Sequence, residues 1–223
     1  MSLLSETDHA RVTAAVTAAE QASAGEIVTA VAEQSDRYHD AALHWAVLAM
    51  LAVPALLAWR PGWAAAAWGL IAGSWSAPPA GAPFVVALIG GVLSFLLARL
   101  LLAYRPLRLA LTPGMTKTRR VRRQALALFR VGAERRTRGR TGVLIYLSLA
   151  ERRAEIIADA AIHDHVAQDV WADAMAALLG PVRDGRTADG LIAAVELVGA
   201  VLAEKAPREG NDVNEIPDRL VET

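Results

Sequence analysis

Asp159, His163, Asp164 and His165 fall within seven residues of one another, and Asp169 lies five beyond Asp164. Carboxylates and imidazoles gathered so closely are the residue types that hold divalent ions. Asp159 and Asp164, with backbone carbonyls, would present hard oxygens to Ca2+ or Mg2+. His163 or His165 would add a softer nitrogen donor. Asp159 also ends a segment that reads as a strand, and ligands of open α/β sheets gather at carboxyl ends of strands. That position makes it the candidate catalytic carboxylate as well. The competing reading is structural: Asp164 and Asp169 stand where a helix begins and would cap its first turn.

Glu26 opens a second strand-like segment, where it either joins the cation donors or pairs with Arg138 or Arg140 as a structural ion pair. Asp184-Gly185 and Asp189-Gly190 lack the alternating oxygens and terminal Glu of a calcium loop, so they read as turn and cap. Cysteine is absent from the 223 residues, which excludes disulfides, thiolate metal sites and cysteine nucleophiles.

The elements that must position these groups follow from periodicity. Residues 5–22 have apolar positions at helical spacing, with Ser5 or Thr7 as N-cap and Glu6 and Asp8 in the first turn. Ile27, Val28 and Val31 predict a buried strand. Residues 118–136 predict a basic amphipathic helix with Val121, Ala125, Leu128 and Phe129 on one face. TGVLIYLSL (141–149) is a short apolar run suited to a strand covered on both faces. A turn at Glu151-Arg152-Arg153 and the segment AEIIAD (154–159) make it a hairpin. One further helix follows and should end by Gly180-Pro181, and another begins near Thr187. The tail from residue 207 is polar and reads as loosely ordered.

Two stretches belong to a different solvent. Residues 41–59 contain no Asp, Glu, Lys or Arg and have Trp45 and Trp59 near their ends. Nineteen residues at about 1.5 Å rise match a hydrocarbon core of about 30 Å. Residues 84–104 form a second such run, with Arg99 placed to snorkel near its end. Between them, residues 62–75 are apolar but short, and suit a helix lying in the interface beside Trp63, Trp68 and Trp75. No basic segment followed by an apolar one opens the chain, so no cleavable signal is expected.

The formal net charge of zero hides a partition. From Arg99 to Arg140 there are thirteen Lys or Arg and one acid, Glu134. Residues 1–40 hold seven acids against two bases, and the last 83 residues fifteen against seven. Arg105, Arg108, Lys117, Arg119, Arg120, Arg122 and Arg123 follow the second apolar run, a pattern that places that side in the cytoplasm. The same residues would meet anionic lipid headgroups at the membrane surface. With Phe129 as the nearby aromatic, the stretch lacks the interleaved rings of a nucleic-acid platform, and no nucleic-acid partner is expected.

The order of pieces SAGEIVTAVAE (23–33), RTRGRTGVLIYLSLAERRAEIIAD (136–159) and DGRTADGLIAAVELVGAVLAE (184–204) resembles the TPM domain. The resemblance covers about two-thirds of the chain. It implies an α/β fold: a three-layer α/β/α sandwich, here with an inserted transmembrane helical hairpin. The expected organisation is 1–40 for the first helix and strand, 41–104 for the hairpin and interfacial segment, 105–206 for the remainder, and 207–223 for a tail. Members of that family include proteins described as acid phosphatases, photosystem-repair factors, channel modulators and calcium binders. The family's acidic loop matches Asp159, but its usual glycine is replaced by Ala161, where a positive φ would be costly.

The expected function is that of an integral inner-membrane protein, with both termini and the TPM-like domain cytoplasmic, that engages a partner protein and has no catalytic role. A membrane-anchored phosphatase using Asp159 is the alternative.

Overall fold

The computed structural model describes residues 3–73, 77–132, 141–207 and 220–222. In chain order its elements are α1 (Glu6–Glu20), β1 (Glu26–Ala32), α2 (His39–Trp59), α3 (Gly62–Ala72), α4 (Ala82–Leu101), α5 (Arg105–Leu111) and α6 (Gly114–Gly132). There follow β2 (Gly142–Ser148), β3 (Arg153–Ala158), α7 (Ala160–His163), α8 (Gln168–Arg183), α9 (Thr187–Lys205) and β4 (Val221–Glu222). The fold is mixed α/β. The chain divides into two compact units: residues 1–36 with 114–223, and residues 37–113. The boundaries differ from the sequence reading, since α5 falls with the apolar segment instead of with the basic helix.

The first unit is built on a four-stranded sheet in the order β3-β2-β1-β4. β1 and β2 run parallel in register from Glu26 opposite Gly142 to Ala32 opposite Ser148. β2 and β3 form the antiparallel hairpin, and β4 lies parallel to β1 through Ala30 and Val31. All seven residues of β2 are buried. Because successive side chains leave a strand on opposite faces, its residues divide between two cores. Val143, Ile145 and Leu147 join Val12 and Val16 of α1, Leu178 of α8, and Leu191, Val195, Val198 and Leu202 of α9. Leu144 and Tyr146 join Val121, Ala125 and Phe129 of α6. The basic helix therefore covers the sheet with the apolar face its sequence displays.

Close helix packing explains two glycines in α9. A Cβ on Gly190 would stand 2.4 Å from the Leu178 carbonyl oxygen, and one on Gly199 would stand 2.6 Å from the Ala19 Cβ. α8 and α1 approach α9 so nearly that no side chain fits there.

Three sequence expectations change. α8 does not stop at Gly180-Pro181; it runs to Arg183, and Pro181 instead offers its carbonyl to the Arg186 N–H that closes the next turn. Ala161 needs no positive φ, because the loop after β3 is the short helix α7. The end of the tail is a strand. Glu222 anchors it, its carboxylate accepting the Leu3 and Leu4 N–H groups at 3.0–3.1 Å and facing His9 Nε2 at 2.7 Å. Residues 208–219 of that tail lie outside the described residues.

In the second unit α2 and α4 pack side by side, and α3 packs against α4. Ser94 of α4 donates across to the Ala49 carbonyl at 3.3 Å and within its own helix to Gly91 at 2.9 Å. The first of these bonds ties α4 to α2. The Arg60 guanidinium lies 5.1 Å above the Trp59 ring at the end of α2. Most other large side chains point outward, among them Leu48, Leu51, Leu88, Leu93, Leu97 and Leu100.

Candidate functional site

Asp159 sits at the junction of β3 and α7, and its chemistry is local. Its Oδ2 accepts the Gly142 N–H at 3.0 Å, while its own N–H donates to the Gly142 carbonyl at 2.9 Å. The residue is buried at 7 % exposure. A carboxylate bonded in this way ties the end of β3 to the start of β2. The Asp159 carbonyl further accepts the N–H groups of Ile162 and His163, which closes α7.

The remaining acidic candidates do not converge on it. His163, Asp164, His165 and Asp169 are all exposed. Asp164 follows the last residue of α7 instead of opening a helix, and Asp169 lies in the first turn of α8. Glu26 is buried at the start of β1, and its proposed partners Arg138 and Arg140 lie outside the described residues. Among the described residues no group of three or more His, Cys, Asp or Glu could hold a metal ion. A calcium ion takes six to eight oxygens, and the residues around Asp159 do not assemble such a set.

Asp184 and Asp189 are drawn into ion pairs at the α8–α9 turn. Arg186 bonds both at 3.3 Å, and Arg11 of α1 reaches Asp189 at 2.6 Å. The Arg11 hydrogen bond, reinforced by Arg186, holds the Asp189 carboxyl below its ordinary value. Asp189 thereby fastens α1 to α9, while Asp184 braces the turn through Arg186.

The basic stretch divides in the same way. Lys117, Arg119, Arg120, Arg122 and Arg123 belong to α6, but Arg120 and Arg123 both reach Asp36, at 2.6 and 3.2 Å. Arg105 opens α5. Arg108 departs from the expected surface role: it is buried, and its Nη1 donates to the Leu102 carbonyl at 3.2 Å. The end of α4 leaves carbonyls without intrahelical donors, and the guanidinium satisfies one of them.

The carboxyl-end argument that singled out Asp159 points elsewhere once the topology is known. β3 is antiparallel, so its end lies at the amino edge of the parallel pair β1–β2. At the opposite edge, where β1 and β2 end, a buried polar cluster forms from residues the sequence reading passed over. Ser35 Oγ lies 2.9 Å from the Tyr146 hydroxyl and donates to Ser148 Oγ at 2.9 Å. Ser148 Oγ donates in turn to the Glu151 carboxylate, whose other oxygen accepts the Ser35 N–H at 3.0 Å. Burial pushes the Tyr146 hydroxyl above its ordinary pKa, against the opposing effect of the Ser35 bond. The available signal was the spacing Ser148-x-x-Glu151, polar residues closing an otherwise apolar strand. Beside this cluster opens a cleft of about 620 Å³ lined by Ser148, Leu149, Arg152, Val182, Arg183 and Thr187, among others.

No family model and no curated protein matches the sequence. Among solved structures the chain is similar to the BA42 protein of the psychrophilic bacterium Bizionia argentinensis, determined by NMR. The alignment spans 100 % of this chain and 97 % of that one, with 16 % identity and a TM-score of 0.58. The likeness is one of fold.

Proposed function

We propose that this is a two-span protein of the inner membrane whose TPM-like module is a cytoplasmic, non-catalytic docking domain for a partner protein. In this reading the module is a three-layer α/β/α sandwich, and residues 37–113 are a transmembrane hairpin inserted between its first two strands. The observation that carries it is the outward apolar surface of α2 and α4. They are 21 and 20 residues long with mean hydropathies of 2.0 and 2.4, and only 17 % and 11 % of their most apolar windows are buried. Water would oppose so large an apolar surface, whereas lipid would not.

The sheet supports an even number of crossings. β1 and β2 pair over seven residues on either side of the hairpin, so both must occupy one compartment. Two full spans with α3 in the interface meet that condition. The basic residues that remain open on α6 (Lys117 and Arg119) then favour the cytoplasmic side and anionic headgroups. Among the described residues Asp159 is engaged by the Gly142 backbone and no metal-binding group forms, which favours a partner protein over the phosphatase alternative that relied on Asp159.

A chain without cysteine makes the topology test clean. Single variants Asp169→Cys in the module and Ala77→Cys in the α3–α4 connection are exposed to a membrane-impermeant maleimide in intact spheroplasts. Labelling is expected at Ala77→Cys alone, with Asp169→Cys reacting only after lysis. Reaction of Asp169→Cys in intact spheroplasts would overturn the orientation, and release of the chain by alkaline carbonate would overturn membrane insertion. Crosslinking in the same membranes reports the partner.

A further inference from the structure

We infer that the outer edge of β3 pairs with the same edge of a second copy of this chain, joining two sheets antiparallel across a two-fold axis at Ile156. The inference goes beyond the docking role and does not rest on the membrane reading. β3 ends the sheet on one side. In the hairpin the Asp159 N–H donates to the Gly142 carbonyl, which makes Asp159 and Gly142 a hydrogen-bonded pair. Such pairs alternate with non-bonded ones along an antiparallel ladder. Ile157 opposite Leu144, Glu155 opposite Tyr146 and Arg153 opposite Ser148 therefore spend their N–H and C=O groups on β2. Ala154, Ile156 and Ala158 turn theirs outward, and among the described residues those groups meet no partner. Every residue of β3 is partly exposed.

The opposite edge of the sheet is closed. β4 pairs with β1 at Ala30 and Val31, and the Glu20 carboxylate accepts the Ile27 N–H at 2.7 Å. Bare edge strands are commonly blunted by proline, lysine or a bulge. β3 has none of these, for its sequence is RAEIIA and its register with β2 is unbroken.

A second copy is the occupant that this edge fits. Two antiparallel β3 strands centred on Ile156 place Ala154 opposite Ala158 and Ile156 opposite itself. Each outward N–H of one copy then meets an outward C=O of the other. Any other in-phase register leaves Ala154 or Ala158 unmatched. The side chains agree with this centre. Ala154, Ile156 and Ala158 lie on the face that packs on the core of α1, α8 and α9, and they line the seam with apolar groups. On the other face Arg153 stands opposite the second copy's Asp159. Arg153 makes no ion pair among the described residues, and its Nε is buried without an acceptor. Glu155 lies opposite Ile157 and meets its own counterpart only on the diagonal, with Arg122 and Arg153 of its own chain beside it.

The chain has no cysteine, so single thiols can read the register. Position 156 faces its own copy at about 5.5 Å between Cα atoms, within disulfide reach. Position 154 lies roughly 14 Å along the seam from its own copy. The full chain in detergent is oxidised with copper phenanthroline at micromolar concentration and read on a non-reducing gel. Linked dimer is expected from Ile156→Cys and from a mixture of Ala154→Cys with Ala158→Cys, but from neither of those two alone. Ala158→Pro removes one outward donor per copy while the bonds to β2 stay. Sedimentation should show its dimer weakened about tenfold or more, with the circular dichroism spectrum of the parent. Equal crosslinking at all three positions, or a dimer unchanged by Ala158→Pro, would overturn the inference by placing the contact on another surface. A monomeric parent would overturn it as well and leave the edge to a strand of a different protein.

Discussion

All seven residues of β2 are buried, whereas of the twenty in α4 only Ala82, Val86 and Gly91 are. Both segments are strongly apolar, so composition alone does not separate them. Partners do. β2 has protein on each face, with α1 and α9 against one set of alternate residues and α6 against the other. α4 meets its neighbours along one narrow stripe and leaves Leu88, Leu93 and Leu100 outward. One segment gains stability by leaving water for protein, and the other, in the function proposed above, by leaving water for lipid.

Truncation should make the contrast quantitative. Ile145→Ala removes a fully buried side chain from the sheet and is expected to cost about 2–5 kcal/mol in a urea melt of the detergent-solubilised chain. Leu97→Ala on the outer face of α4 should cost less than about 0.5 kcal/mol. Equal losses at both positions would erase the distinction. A charge probes the other side of it. Leu93→Arg lies near the middle of α4 and opposes insertion by roughly 2.5–3.5 kcal/mol, so the fraction released by alkaline carbonate should rise. An unchanged fraction would mean that this face does not meet lipid.

Smaller effects sharpen the picture within the module. Glu222→Ala leaves the Leu3 and Leu4 N–H groups without their carboxylate acceptor, at about 1–3 kcal/mol in a thermal melt. A melt indistinguishable from the parent would show that the C-terminal strand contributes no stability. The smallest effect concerns Glu155 of β3. Burial raises its carboxyl above the ordinary value, with Arg122 and Arg153 opposing the shift. A group whose pKa is raised in the fold contributes its stability below the unfolded-state value and loses it as pH climbs through the raised value. Glu155→Gln keeps the neutral form at every pH. It should therefore exceed the parent in stability above that window and match it at the acid end. An advantage that persists in acid would assign the effect to packing instead.

Much of the framework was legible from periodicity. Val121, Ala125 and Phe129 recur at helical spacing and do form the buried face of α6. The run from Gly142 to Ser148 is continuous in apolar residues because it has two dry faces. What escaped was long-range. The pairing of Val221 with Ala30 joins residues far apart in the chain through backbone bonds that no local pattern encodes. The helix through Pro181 escaped because a proline near a helix end forfeits a single bond, and the following turn recovers its carbonyl. The site escaped for a topological reason. Asp159 ends a strand, as expected, but one running against its neighbours, so the rule about strand ends belonged to Ser148 and Ser35 instead.

Since β1 and β2 are parallel neighbours, the chain between them must complete a whole crossover before they can meet. Here that crossover is roughly a hundred residues, several times the dozen that the geometry requires. At a translation rate of about 5–20 residues per second, β1 waits on the order of ten seconds for its partner to leave the ribosome. For that interval a strand that ends up buried at six of its seven residues has no mate, and the N-terminal helix has only part of its core. The nascent N-terminus must be sheltered until the sheet can close.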